Sequence, residues 1–190
     1  TEDLEKRRAL LNFVIAGAGP TGVELSGAIA EVRNFIIPKD YRDLDPKEMH
    51  IHLIEGLGRV LPPMSETVSR KADKFLRDLG VEIHLNTMVK AFDGKRVTTN
   101  DENLFFDTST FIWAAGVSGA PIEGLNASAL MERPGRYNVN VFNQAKGYDN
   151  IFAIGDIALM QTEDYPKGHP MVAQPAIQQG KLLAKNLKRL

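Results

Sequence analysis

The 190-residue chain contains no cysteine, which removes disulfide staples, thiolate nucleophiles and cysteine-held metals from its chemistry. No run approaches the roughly 18 consecutive apolar residues that a membrane-spanning helix needs. The opening stretch TEDLEKRRALL lacks the basic-then-apolar profile of a secretory signal, so a soluble, cytoplasmic chain is expected. Charge of one sign is not in excess. With 23 Lys and Arg against 24 Asp and Glu, the net charge is -1, which gives no electrostatic case for a nucleic-acid partner, and the basic end KNLKRL reads as the solvated end of a helix. Several catalytic signatures are absent too. There is no G-x-x-x-x-G-K-[ST], no H-E-x-x-H and no G-x-S-x-G, and none of the four tyrosines has a lysine four residues on. His50 and His52 alternate on a strand pattern, but local spacing supplies no third ligand, so they read as structural and no metal is expected.

What is present is an alternation of strand and helix patterns, with 43% hydrophobic residues, enough for a core of one domain or one and a fraction. LNFVIAG is a buried strand candidate over 12–16. From Thr21, residues Leu25, Ala28, Ile29, Val32, Phe35 and Ile36 fall at helical spacing and predict an inward face that ends at Pro38. The polar stretch PKDYRDLDPKE reads as a surface excursion. A second strand is predicted over 49–55. A second helix should be N-capped by Ser65 and closed by Gly80, with Val68, Ala72, Phe75, Leu76 and Leu79 inward. Short strands follow in VEIHL, MVKAFDG, RVTTN, NLFF and TFIWAAG, with Asp93-Gly94 as a hairpin turn. Later, NIFAIGDIA (150–158) predicts an apolar strand. MVAQPAIQQGKLLAKNLKRL predicts a helix with Ala173, Ala176, Ile177, Gly180, Ala184 and Leu187 on one side and Pro175 in its first turn. The order describes an α/β nucleotide-binding half with an added antiparallel piece.

Gly17, Gly19 and Gly22 form G-x-G-x-x-G directly after a strand and at the mouth of a helix. In such a motif the first glycine permits the tight turn, the second lets a pyrophosphate approach the backbone, and the third lets helix and strand pack closely. The ligand's negative charge then meets unpaired N–H groups and the positive end of the helix dipole. The same glycines could serve only a tight strand-to-helix turn. Glu55, at the end of the second strand, favours the ligand reading, because a carboxylate there can accept bonds from ribose hydroxyls and repels a 2′-phosphate. It lies 33 residues beyond Gly22, and leaving out the excursion 38–48 reduces the interval to 22, near the expected ~20. NADH is therefore expected over NADPH, with Arg42 and Arg59 as the cations that could still reach a phosphate.

Taken together and in order, GAGPTGVELSGAIAE, FIWAAGV, IFAIGDIA and VAQPAIQQGKLLAKNL resemble the two-dinucleotide-binding flavoproteins of the pyridine nucleotide-disulfide oxidoreductase type. They are most similar to the type II NADH dehydrogenases (NADH:quinone oxidoreductases). The resemblance implies a Rossmann-like NADH-binding domain over residues 11–118, with a parallel sheet, helices and an antiparallel β-meander. It also implies that residues 119–190 are the C-terminal part of an FAD-binding Rossmann-like domain. By the same resemblance Gly17, Gly19, Gly22 and Glu55 hold NADH, Ala115 and Gly116 form the crossing back toward the flavin, and Gly155 and Asp156 bind FAD, Asp156 through a ribitol hydroxyl. Glu24 would sit near the nicotinamide, and Gln174 and Gln178 beside the isoalloxazine ring near the quinone entrance. Read without the resemblance, Glu24 complements a helix N-terminus, Asp156 is a turn residue and the glutamines are solvated. The activity implied is hydride transfer from NADH to FAD and then to a quinone, in a peripheral membrane enzyme on the cytoplasmic face of the cell membrane and a possible homodimer. Only one G-x-G-x-x-G is present, so the expectation is an internal piece of such an enzyme, inactive by itself. The rival readings are a related reductase with a protein acceptor such as ferredoxin or rubredoxin, and a non-catalytic NADH-binding module.

Overall fold

A computed structural model describes residues 3–120, 122–125, 130–131 and 135–189. The chain divides into two compact units, one ending at Gly116 and one beginning at Val117.

In the first unit a short helix α1 (Leu4–Leu11) is capped by Asp3, whose carboxylate accepts from the N–H groups of Glu5 and Lys6. It leads directly into β1 (Asn12–Ala16). Helix α2 (Pro20–Glu31), strand β2 (His50–Ile54), helix α4 (Glu66–Asp78) and strand β3 (Glu82–His84) follow, with a short helical turn α3 (Ile37–Asp40) between α2 and β2. Three strands, β4 (Val89–Phe92), β5 (Arg96–Thr99) and β6 (Phe105–Asp107), form an antiparallel meander, and β7 (Thr110–Trp113) returns to the main sheet. That sheet has the order β3-β2-β1-β7 with every pair parallel. A parallel sheet must be covered on both faces, and strand alternation divides its residues accordingly. Ile15, Ile51, Leu53 and Ile83 join the core under the helices, with Ala30 and Leu76. Val14 and Ile54 join Val97 and Phe106 under the meander.

The first predicted strand, the second, and both caps of the second helix are where sequence placed them. Ser65 Oγ accepts from Val68 N. Gly80, at φ +82, closes α4 with Gly80 N bonding to Arg77 O at 2.8 Å and Val81 N to Leu76 O at 2.9 Å, the paired bonds of a left-handed helix stop. Asp93 Oδ1 accepts from Lys95 N and Arg96 N and turns β4 into β5.

The inward face of α2 is the predicted one only in part: Ile29 packs against the core and Leu25 is half-buried. The buried stripe is Gly22, Ser26 and Ala30, whereas Ala28 is exposed and Val32, Phe35 and Ile36 are 43%, 58% and 46% exposed. Because α2 begins against the glycine loop it lies close to the sheet, and the fully buried stripe is made of small residues. Nor does Pro38 end the helical backbone. A π turn over Val32–Ile36 widens the coil, and Pro38 sits in the first turn of α3, where its missing N–H is tolerated. The π turn carries Arg33 and Asn34 onto the end of α4, where Leu79 O accepts from both side chains and Gly80 O accepts from Arg33 at 3.1 Å. Along α4 itself, Leu76, Ala72 and Leu79 pack inward as expected, but Val68 and Phe75 are exposed and Ser69 takes the inward place, donating to Val60 O at 2.7 Å.

In the second unit β8 (Leu130–Met131), β9 (Arg136–Val139) and β10 (Ala158–Met160) form a sheet of order β10-β9-β8, with β9 and β10 parallel. The predicted strand 150–158 is interrupted, with Phe152 making a single bridge to Gln144 and Ala158 opening β10, because Gly155 turns left-handed at φ +72 and starts a 3-10 turn over Gly155–Ile157. Helix α5 (Ala173–Leu187) buries Gln179. Ala173, Ile177, Ala184 and Leu187 of the predicted face are exposed, and Ala176 and Gly180 are half-buried.

Candidate dinucleotide-binding site

The three glycines of the loop between β1 and α2 occupy three different environments. Gly17 has φ +100, a region disfavoured for any side chain, and a Cβ there would lie 2.8 Å from the backbone of Ala115. At Gly22 a Cβ would lie 1.8 Å from Gly17 O, so the helix can approach its own loop only through glycine. Gly19 is the opposite case. It has φ -70 and ψ -176, a conformation open to any residue, and a Cβ there would meet nothing within 4 Å. The loop thus holds two glycines for packing and one facing open space at the N-terminus of a 12-residue helix. As N-cap, Gly19 supplies no side-chain acceptor, and Pro20 has no N–H, which leaves the first-turn amides of Thr21 and Gly22 outside the intrahelical ladder. An anion fits there.

Glu55 follows β2 directly and does more than sequence indicated. Its Oε2 accepts from Ala18 N at 2.8 Å and its Oε1 from Leu57 N at 2.9 Å, so the carboxylate ties the glycine loop to the end of β2. Gly17 N donates to Ile54 O and Leu61 N to Ala18 O, both at 2.7 Å, which ties the start of the loop to β2 and to the segment after it. Each carboxylate oxygen has further acceptor capacity for a ribose hydroxyl. Of the two cations that could reach a 2′-phosphate, Arg59 donates to Pro62 O at 2.6 Å within its own loop.

Ala115 is brought against Gly17, and Gly116 is exposed at φ +74 just beyond it. Glu24 is exposed on α2, on the turn after the glycine motif. In the second unit Gly155 N donates to the Gln179 side chain at 2.7 Å, and Asp156 is exposed beside it. Gln174 and Gln178 are exposed on α5. Sequence reasoning passed over Gln179 and Arg136. Gln179 is 6% exposed, orders the Gly155 turn, and through its carbonyl accepts from buried Asn143. Arg136 is equally buried and donates to Ala158 O at 2.5 Å and His169 O at 3.0 Å. Burial pulls its pKa down while Asp156 opposes the shift. A polar residue that faces inward carries no periodic signal of its own.

A second polar constellation lies on the meander face of the main sheet. Strand register places His52 beside Glu82 and Ile54 beside His84, so His50, His52, Glu82 and His84 share one face, packed under Phe106. Local spacing offered the two histidines of β2 no third donor; pairing with β3 supplies Glu82 and His84. Burial, reinforced by His84 and His50 and opposed by Glu82, lowers the His52 pKa to about 4. Burial also lowers His84, with Arg77 adding to the effect and Glu82 opposing it. The unfolded chain takes up these protons near pH 6.5, so it binds more protons than the folded chain from about pH 6.5 down toward 4, and stability falls as pH falls through that window. We expect the melting temperature with EDTA present to drop by roughly 3–6 °C between pH 7.5 and 5, on the order of 1–2 kcal/mol, and to drop less in His52→Gln. A pH-independent melting temperature would contradict a neutral, buried His52.

The chain matches the pyridine nucleotide-disulphide oxidoreductase family over residues 1–180, and it belongs to that family. It is 34% identical over 194 aligned positions to the type II NADH:quinone oxidoreductase Ndh of Mycobacterium tuberculosis, a match covering 99% of this chain and 41% of that protein. It is 32% identical to the type II NADH:quinone oxidoreductase of Staphylococcus aureus, covering 95% and 44%. Among solved structures, NDH2 from Plasmodium falciparum in complex with NADH superposes with a TM-score of 0.67 at 22% identity, covering 85% of this chain and 35% of that one, which supports the Rossmann-like fold. The chain spans about two fifths of the length of the curated relatives it matches.

Proposed function

We propose that this chain is the NADH-binding region, with part of the FAD-binding region, of a flavin-dependent NADH:quinone oxidoreductase. The observation that carries the reading is the open space at Gly19, set between two glycines that packing requires and at the start of a helix. Residues 11–118 form the NADH domain in this reading, and 119–190 the C-terminal part of the FAD domain. The amides of the 17–22 loop hold the pyrophosphate, and the Glu55 carboxylate accepts the ribose hydroxyls and repels a 2′-phosphate. Ala115 and Gly116 shape the wall opposite the loop, and Glu24 serves the nicotinamide end. Asp156, exposed on the turn that Gly155 and Gln179 build, accepts a ribitol hydroxyl of FAD, with Gln174 and Gln178 assigned to the flavin and quinone side. NADH and FAD supply the hydride chemistry, and the protein supplies alignment and exclusion of water. Correspondingly, no side chain is needed as nucleophile. The names of the relatives support quinone as acceptor, and a quinone soluble in lipid suits a peripheral enzyme at the cytoplasmic face. Among the described residues no helix is long and apolar enough to cross a membrane.

The test has two arms. Calorimetry on this chain should show saturable binding of one NADH, and the product of the intact gene should carry FAD and oxidise NADH in a quinone-dependent way. Absence of NADH binding would overturn the site. An FAD-loaded product that reduces ferredoxin or rubredoxin but no quinone would overturn the acceptor.

A further inference from the structure

We propose that His50, His52 and Glu82 form a binding site for a first-row divalent cation, Zn2+ being the ion their donors suit, on the meander face of the parallel sheet. The site is separate from the dinucleotide loop and does not depend on how that loop is read. Three of the chain's four histidines gather here, around one carboxylate, although they come from two strands about 30 residues apart in sequence. The two imidazole nitrogens flank the carboxylate, one on each oxygen. His50 Nδ1 lies 3.1 Å from Glu82 Oε1, and His52 Nδ1 lies 3.5 Å from Glu82 Oε2, while ligands about 2.0–2.1 Å from a tetrahedral Zn2+ sit ~3.3 Å from one another. All three donors fall within 4.8 Å of each other.

Two imidazoles and a carboxylate, with one position left for water, are a recurrent zinc set, and neither thiolate nor an all-oxygen cage is present to favour softer or harder ions. The exposure is graded. His52 is anchored at 10% side-chain exposure, while His50 and Glu82 are 56% and 50% exposed and leave the ion a path from solvent. His84, with Nε2 3.2 Å from His52 Nδ1, flanks the buried side. Because β2 and β3 are adjacent strands, an ion here cross-links them, and metal binding to the folded chain should raise its melting temperature.

The experiment is calorimetric titration of the EDTA-stripped and desalted 190-residue chain with Zn2+ alone, with Co2+ as a spectroscopic substitute. One ion per chain, d–d absorption of four-coordinate Co2+, and a higher melting temperature with Zn2+ are expected. Because His52 is buried, the informative variants are His50→Ala and Glu82→Gln at half-exposed positions. Each should weaken Zn2+ binding by at least about tenfold while keeping its metal-free melting temperature and its NADH affinity. His169→Gln, in the second unit, should leave Zn2+ binding unchanged. No stoichiometric binding, or full affinity in both His50→Ala and Glu82→Gln, would show that the cluster is a hydrogen-bonded packing feature only and overturn the proposal. Failure of NADH binding alone would leave it standing.

Discussion

Gly19→Asp should fold at least as well as the parent chain and lose NADH by about 100-fold or more, equivalent to roughly 2.7 kcal/mol. The two effects have one cause. Position 19 is the N-cap of α2, its backbone is unstrained, and its Cβ would point into empty space. Aspartate is among the best N-cap residues and accepts from the same first-turn amides, so the melting temperature should hold or rise. Those amides and the helix dipole are what the pyrophosphate would use, and a fixed carboxylate both occupies them and repels the incoming anion. Gly22→Ala separates packing from binding. Its Cβ would lie 1.8 Å from Gly17 O, which the loop can relieve only by moving α2 off the sheet, at a cost of about 3 kcal/mol or more and a fall in melting temperature with no ligand present. Thermal melts beside NADH titrations decide the matter. If Gly19→Asp binds NADH like the parent, the open side of the loop is not the pyrophosphate site.

Glu55→Gln is expected to act on stability and specificity together. The carboxylate accepts from Ala18 N and Leu57 N with different oxygens. A carboxamide has only one acceptor oxygen, so one of those N–H groups would face another donor. A loss of about 1–2 kcal/mol in unfolding free energy follows. The parent chain should bind NADH at least tenfold more tightly than NADPH, because the charge that receives ribose hydroxyls repels a 2′-phosphate. In Glu55→Gln that ratio should shrink, with NADH affinity falling more than NADPH affinity. Equal affinities for the two coenzymes in the parent would leave Glu55 as a structural tie for the loop and nothing more.

What sequence disclosed and what it hid follow a physical division. Signals contained within a few residues were legible: β1 ending in glycine, Ser65 and Gly80 at the ends of α4, the Asp93-Gly94 turn, and the glycine motif at the mouth of α2. The buried face of α2, apart from Ile29, and that of α5 were misread for a common reason. Apolar periodicity marks the face with the largest side chains, but α2 approaches the sheet through Gly22, Ser26 and Ala30, and α5 turns Gln179 inward to serve the Gly155 turn. The strand expected over 150–158 failed at Gly155, where a left-handed residue overrides a run of good strand formers. The link between Glu55 and Ala18, and the meeting of His50 and His52 with Glu82 and His84, depend on which strands pair and in what register. No local pattern records that.

The central claim is that a reduced pyridine coenzyme rests its diphosphate on the backbone of the 17–22 loop, and the most direct measurement is an amide-resolved NMR titration of the 15N-labelled chain with NADH. Saturable shifts concentrated on the amides of Ala18, Gly19, Thr21 and Gly22, with Leu57 responding beside Glu55, are the predicted result. Saturation with those amides unmoved, or shifts centred in the second unit, would contradict it.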